Sequence, residues 1–149
     1  MTKKTFKGRP LLPGNIEGKA LASKKAFNTS GSYMENLFGG KKDGAPCTDS
    51  FNEDFYKQEL AGAILCFPTT VGSTMGGASL MGVGYLGQGP KAMLYAEHAD
   101  SVSLAGLLMD DIWNDRRVIT IDLLGDEFLD AVKSGDPISI HEDGTVEVG

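Results

Sequence analysis

An α/β domain is predicted by three features of this 149-residue chain. Between residues 63 and 121, short apolar runs alternate with longer segments of helical period in the order strand, helix, strand, helix, strand. Such an order requires right-handed crossovers and a partly parallel sheet. The two ends read as β-rich, and Asp143-Gly144 between alternating runs is a strong hairpin signal. The length suits one well-buried core, so a single domain spanning 1–149 is expected.

Taken in order, residues 5–12 should be extended and should stop at the turn pair Pro13-Gly14, after which 18–22 resumes the pattern. Two early strands joined tightly result. Residues 28–52 are rich in Ser, Gly, Lys, Asp and Asn and read as a surface insertion, with one or two helical turns at 32–38 closed by Gly39-Gly40. The apolar run 63–67 is a strand ended by Pro68. From about 73 to 86, Met75, Leu80, Met81, Val83 and Leu86 recur among many small residues. Each interior glycine costs roughly 1 kcal/mol of helix stability relative to alanine, so close packing on a sheet must outweigh propensity there. Gly87 or Gly89 stops this helix. Residues 91–95 form the next strand, and 101–113 a helix capped near Ser101 or Ser103, apolar at Leu104, Leu107, Leu108 and Ile112. A strand at 117–121, a short helix at 127–133 ended by Gly135, and the hairpin 138–141 with 145–148 complete the chain. No internal repeat is evident.

Composition excludes several classes of function. Twenty acidic against fourteen basic residues give a formal charge of −6, and the basic residues are scattered in short pairs. Nucleic acid needs a concentrated cationic face, so it is not expected as a partner. No segment approaches 18 uninterrupted apolar residues and no apolar run follows Lys3-Lys4, so neither a membrane span nor a signal peptide is expected. Cys47, in a polar loop, and Cys66, in an apolar strand, have neither metal-ligand spacing nor the density of a disulfide framework. That usage fits a reducing, cytoplasmic setting.

The most informative motif runs from Phe67 to Gly77, where an apolar strand leads into Gly72, Ser73 and Thr74. Gly72 lets the backbone turn and approach a ligand, and Ser73 and Thr74 fall at the N-cap or first turn of the next helix. Backbone N–H groups and the positive end of the helix macrodipole then face an anion or an activated serine. The local pattern fits an ordinary helix cap as well as a site. Gly82, Gly84 and Gly87 match a dinucleotide-binding spacing, but they follow a helix and precede a strand, the reverse of the order such a site requires. His98 lies just after a strand end, where residues of α/β active sites sit, between Glu97 and Asp100; a solvent-facing loop histidine is the plainer reading. His141, on the terminal strand, reads as structural, and two histidines so far apart make no metal site. Asp110 and Asp111 are expected on a solvated helix face, and Cys66 in the core. Asp110 and Asp111 with Asp122 could suggest carboxylate chemistry, which the solvated placement of the pair disfavours. A serine-hydrolase reading would need His98 to reach Ser73 across the sheet tips.

The residues Gly8, Arg9, Pro10, Gly14 and 18–21, the run 61–68 followed by Val71 to Thr74, and the closing segments 135–137 and 143–148 resemble the swivel domain, or small subunit, of the aconitase X family of dehydratases. The resemblance covers most of the chain; its specific part is Phe67-Pro68 followed by Gly72, Ser73 and Thr74. It implies a swivelling β/β/α domain that closes over a larger partner subunit, with iron or an iron–sulfur cluster carried by that partner and none bound by this chain. It implies that Ser73 is the catalytic base and that Gly72, Thr74 and Thr70 shape substrate binding. Family members dehydrate small hydroxy acids, either cis-3-hydroxy-L-proline or phosphomevalonate. Aconitase and isopropylmalate isomerase place an Arg-Glu pair after the serines, where this chain has Met75-Gly76. Relatives often carry a lysine or arginine where this chain has Thr69, Thr70 and Val71, which favours the hydroxyproline substrate over a phosphorylated one. Dehydration needs a base and a Lewis acid, and this chain offers only the first, so it should be inactive alone. The rivals are a stand-alone small-anion-binding or regulatory module using the same helix end, and a phosphohistidine carrier, disfavoured because the glycine turn holds no histidine.

Overall fold

The computed structural model describes residues 2–149. The chain opens with β1 (Lys4–Lys7) and β2 (Arg9–Leu12), separated only by Gly8, followed by β3 (Ile16–Ala22) and the short β4 (Phe27–Asn28). A 3-10 turn at Gly31–Tyr33 runs into α1 (Met34–Leu37), and an irregular segment then leads to β5 (Ile64–Phe67) and β6 (Thr70–Val71). Next come α2 (Gly76–Tyr85), β7 (Ala92–Tyr95), α3 (Ser101–Trp113), β8 (Ile119–Asp122) and α4 (Asp126–Ala131), and last β9 (Pro137–Ile140) and β10 (Thr145–Val148). Eight strands form one sheet in the order β1-β10-β9-β3-β5-β7-β8-β2, and β4 pairs with β6 alone. As the alternation predicts, β5, β7 and β8 run parallel, and β3 joins them beside β5. The other pairings of the large sheet are antiparallel.

The two edge strands of this sheet are neighbours in sequence. β1 pairs with β10, Lys4 opposite Val148, while β2 pairs with β8, Arg9 opposite Asp122. The chain therefore steps from one edge to the other at Gly8, and the sheet closes on itself. A Cβ at Gly8 would lie 2.5 Å from the Asp122 carbonyl oxygen, so only glycine allows the step. Its N–H donates to the Gly144 carbonyl at 2.9 Å. The single strand expected at 5–12 is thus two strands with different partners, and β2 and β3 follow one another without pairing. Opposite the seam, β3 bridges the two halves, its first part pairing with β9 and its last with β5.

Period-two alternation sorts the parallel strands onto two cores. Ile64, Cys66, Ala92 and Leu94 join Ile121, Phe128, Ile138 and Val146 in one cluster. Leu65, Phe67, Met93 and Tyr95 join Leu80, Val83 and Leu107 of the helices in the other. The expected surface insertion belongs to this second core. Tyr33, Ala45 and Cys47 of the insertion are buried, as is Phe55 just beyond it, while Phe38 and Phe51 stay exposed; Phe27 sets its ring 6.0, 5.7 and 5.4 Å from those of Tyr33, Phe55 and Phe67. Such aromatic contacts add about 0.5–1.5 kcal/mol each beyond area burial, which the polar composition of 28–52 conceals. Cys47 lies in a loop as expected but is a buried free thiol, and Cys66 lies in the core as expected. Burial raises the pKa of both, which leaves neither poised as a nucleophile.

Helices α2 and α3 touch through glycine. A Cβ on Gly106 would overlap the Gly77 carbonyl, and one on Gly84 would overlap the Asp110 carboxylate. The small residues of α2 therefore serve a helix–helix contact rather than packing on the sheet alone. Asp110, expected on a solvated face, is buried. Asn114 Nδ2 donates to it at 2.8 Å, and burial raises its pKa against the opposing effects of Asn114 and Arg116. Asp111 stays at the surface, paired with Arg117 at 2.9 Å.

Because the methyl of Gly106→Ala has only backbone to displace, it should cost about 1–3 kcal/mol by overpacking. Gly82→Ala meets only the end of the Leu37 side chain and should be neutral or stabilising by up to about 1 kcal/mol. Urea unfolding of the two variants checks the contrast.

Candidate active site

The candidate site is built where β5 ends. After Phe67 the chain re-enters an extended conformation as β6, held by parallel pairing of Thr70 and Val71 with Phe27 and Asn28 and by the Phe27 N–H donating to the Thr69 carbonyl at 2.9 Å. Gly72 then turns with φ 112°, and a Cβ there would stand 2.5 Å from Asn28 Oδ1. That oxygen already accepts the Gly31 N–H at 2.8 Å, so it is fixed in place. Both the positive φ and the close approach demand glycine.

Ser73 and Thr74 are exposed and precede α2 instead of capping it. The N-cap is Met75, with no side-chain cap, so the expected placement at the N-cap or first turn is corrected by up to three residues. Ser73 closes its own turn: its Oγ accepts the Met75 N–H at 3.0 Å and its carbonyl accepts the Gly76 N–H at 2.9 Å. The N–H donor and the α2 macrodipole both favour negative charge on Oγ. Thr29 packs directly on Gly76, and Ser30 and Ser79 share a hydrogen bond of 2.8 Å behind the turn.

Thr70 is held by a residue that the pattern around Ser73 does not reveal. Its hydroxyl donates to Asp100, whose carboxylate also accepts the Ser103 N–H at 2.8 Å and the Ser103 hydroxyl at 2.7 Å. The Tyr95 hydroxyl in turn lies 2.7 Å from Ser103 Oγ. Asp100 is the N-cap of α3, one residue before Ser101 and three before Ser103, the serines expected in that role. Its signal was present in the sequence, since aspartate caps helices as well as serine does. Burial opposes ionisation of Asp100, but the hydrogen bonds from Thr70 and Ser103 outweigh it and hold the carboxyl below its usual range. Thr70, Gly72, Ser73, Thr74, Thr29 and Asp100 are among the residues lining a cleft of about 160 Å³. No cation is among them.

A second polar cluster sits past the ends of β7 and β8. Arg9 donates to both oxygens of the buried Asp122, at 2.9 and 2.7 Å, and the Ala99 N–H adds a third bond at 2.8 Å. Burial again opposes ionisation, and Arg9 with the Ala99 N–H keeps Asp122 below the usual carboxylate range. His98 approaches Arg9 Nη2 at 3.4 Å and Asp122 at 3.9 Å. The histidine is therefore engaged with Arg9 and Asp122, and no Ser-His pair forms with Ser73. Among the described residues no group of three or more His, Cys, Asp or Glu could hold a metal ion. The chain's own side chains do not fit an iron centre. No helix among the described residues is long and apolar enough to cross a membrane.

Gly72→Ala should destabilise the chain by about 1–3 kcal/mol through its strained φ and deprotect the amides around 70–76 in hydrogen exchange. Adding Asn28→Ala removes the overlap but not the strain, and it also deletes the acceptor of the Gly31 N–H, so it should not restore stability. Asp100 has a folded pKa below its unfolded value near about 3.9, so its contribution is complete above that value and is lost as pH falls through the lower folded one. Asp100→Asn should accordingly be less stable than the wild type at pH 7, and the two should converge as acid protonates the wild-type carboxyl. Thermal unfolding between pH 2 and pH 7 tests this.

Comparison with known proteins identifies the family that shares this fold. A family profile described as "Aconitase X swivel domain" matches residues 5–148. The small subunit of phosphomevalonate dehydratase from Archaeoglobus fulgidus is 30% identical over 146 residues, covering 96% of this chain and 97% of that protein. The protein of the same name from Thermococcus gammatolerans is 30% identical over 144 residues, with 96% of each chain covered. Among solved structures, holo-form aconitase X of Thermococcus kodakaraensis superimposes with a TM-score of 0.79 at 24% identity, over 98% of both chains. A solution NMR structure of a UPF0107 protein gives 0.76 at 26% identity, over 98% of this chain and 99% of that one. With a curved sheet, a two-helix layer and a glycine–serine turn at the strand ends, the chain belongs to the aconitase X swivel-domain family.

Proposed function

We propose that this chain is the small subunit of an aconitase X-type hydro-lyase and that Ser73 is its catalytic base. The observation that carries the reading is the Ser73 hydroxyl, presented to solvent on a glycine-fixed turn, while the one carboxylate of its cleft, Asp100, is taken up by Thr70 and Ser103. The iron centre and the rest of the site then belong to a large partner subunit, and the chain alone is inactive. Within the complex, Ser73 Oγ removes the proton next to the substrate carboxylate. The Met75 N–H and the α2 macrodipole stabilise the oxyanion form that makes a serine basic enough to do so. Gly72 fixes where Oγ points, Thr74 borders the cleft, and Thr70, locked to Asp100, keeps the preceding strand in place.

The proposed substrate is cis-3-hydroxy-L-proline. Support comes from Thr69, Thr70 and Val71, which leave the approach to Ser73 without a cation, and from Asp100, which puts a carboxylate in the cleft. A phosphoryl group finds no cation among the residues lining this cleft to neutralise it. Phosphomevalonate is the second reading, favoured by the names of the curated relatives at 30% identity. A stand-alone anion-binding module is the third, and it predicts a chain that functions without any partner.

Ser73→Ala in the reconstituted complex should lower turnover by about 10²–10⁴-fold, the range for loss of a general base. Assembly should not change, and unfolding temperature should fall only slightly, because the bond lost from the Met75 N–H is exposed to water. Near-normal turnover would remove Ser73 from the mechanism. Steady-state rates of the wild-type complex on hydroxyprolines and on phosphomevalonate decide the substrate.

A further inference from the structure

We propose that the outward face of α2 and α3 is the surface by which this chain docks on its large subunit, an inference that rests on the small-subunit reading above. Both helices bury one face in the core, yet their opposite faces are apolar too. On α3, Val102, Ala105, Met109 and Ile112 recur at helical spacing along the outside, with Ile112 67% exposed. On α2, Ala78, Met81 and Tyr85 do the same, with Tyr85 79% exposed. Charge is missing from this face: α2 has no ionisable group other than Tyr85, and of the two acids of α3, Asp110 is turned inward and Asp111 is paired with Arg117. Contiguous apolar surface of this kind marks a contact site.

The close contact of Gly77 with Gly106 lets the helices meet without large side chains between them, and a groove of about 440 Å³ follows their line of contact. Its place in the fold identifies its occupant. Thr74 and Val102 line both this groove and the Ser73 cleft, so the two are continuous. Val71 and Met75, which flank the serine turn, are 49% and 63% exposed and extend the apolar surface around it. A subunit that brings substrate within proton-transfer distance of Ser73 must cover this turn, and the apolar groove opens from its edge. A second copy of this chain on the same face would close the serine off from that subunit. The chain's formal charge of −6 also opposes self-association.

Titration of the purified aconitase X large subunit of the same organism with wild-type chain, Ala105→Glu, Met109→Lys and Ser73→Ala tests the assignment. Ala105 and Met109 project from the protein surface, and matching unfolding temperatures verify that their variants fold. A charge buried without a partner at an apolar contact should weaken binding by about 100-fold or more. Ser73→Ala should bind as the wild type does. Hydrogen exchange of the wild-type complex should show new protection in 78–85 and 102–113. Unchanged affinity of both charged variants, or protection confined to other segments, overturns the docking face and leaves the small-subunit reading standing. If the charged variants instead abolish a dimer of this chain without changing its affinity for the large subunit, the face belongs to self-association. If the wild-type chain binds no large subunit at all, the small-subunit reading falls and the docking face with it.

Discussion

The functional edge of this fold depends on one carboxylate. Asp100 holds the hydroxyl of Thr70, the N–H and hydroxyl of Ser103 and, through Ser103, the Tyr95 hydroxyl. It thereby ties the segment after β5 to the end of β7 and the start of α3. Parallel strands bring several loops to one edge of a sheet without fixing how those loops sit relative to one another. Side-chain bonds have to do that. Asp100 is partly buried, where each bond is stronger than in water and each unmade bond more costly. The serine turn is held from its other side by β4 and Asn28, so Ser73 stands between two rigid supports while remaining exposed.

Where an element was readable in the sequence, its signal was local. β5, β7 and β8 declared themselves as short apolar runs, α3 by its period, and the last hairpin by Asp143-Gly144. The unreadable features were long-range. Gly8 looks like any glycine in an extended segment, and its role emerges only when Asp122 and Gly144 come to pack on it. The insertion looked polar because most of its residues are, yet Tyr33 within it packs on Phe27 and Ala45 and Cys47 are buried, while Phe38 and Phe51 stay exposed. Asp110 faces inward because Gly84 leaves room for a carboxylate, a relation that helical periodicity cannot express.

The site divides in the same way. Gly72 and Ser73 stood out through a run of residue types whose conformational needs are strong and local. Their supports did not, since Asn28 and Asp100 lie far from Ser73 in sequence and act through oxygen atoms that any polar loop could offer. The registry of Ser73 relative to α2 was also misplaced. Glycine at 76 and 77 allows the helix to start late, after a turn closed by the serine's own Oγ, and a propensity argument cannot distinguish a capped start from one delayed by a turn.

The seam at Gly8 also bears on how the molecule reaches its folded state. Because the strand ending at Lys7 pairs with residues 145–148, the curved sheet closes by the contacts of greatest sequence separation in the domain. Parallel pairing and the helix layer can be assembled from the middle of the chain, but closure must wait for its final hairpin. Contacts of such separation are costly in loop entropy and make folding slow relative to helical proteins of equal size. Until β10 is in place, the edges of β9 and β1 remain open to pair with other chains. Synthesis at high concentration therefore exposes this protein most in the interval before its last strand docks.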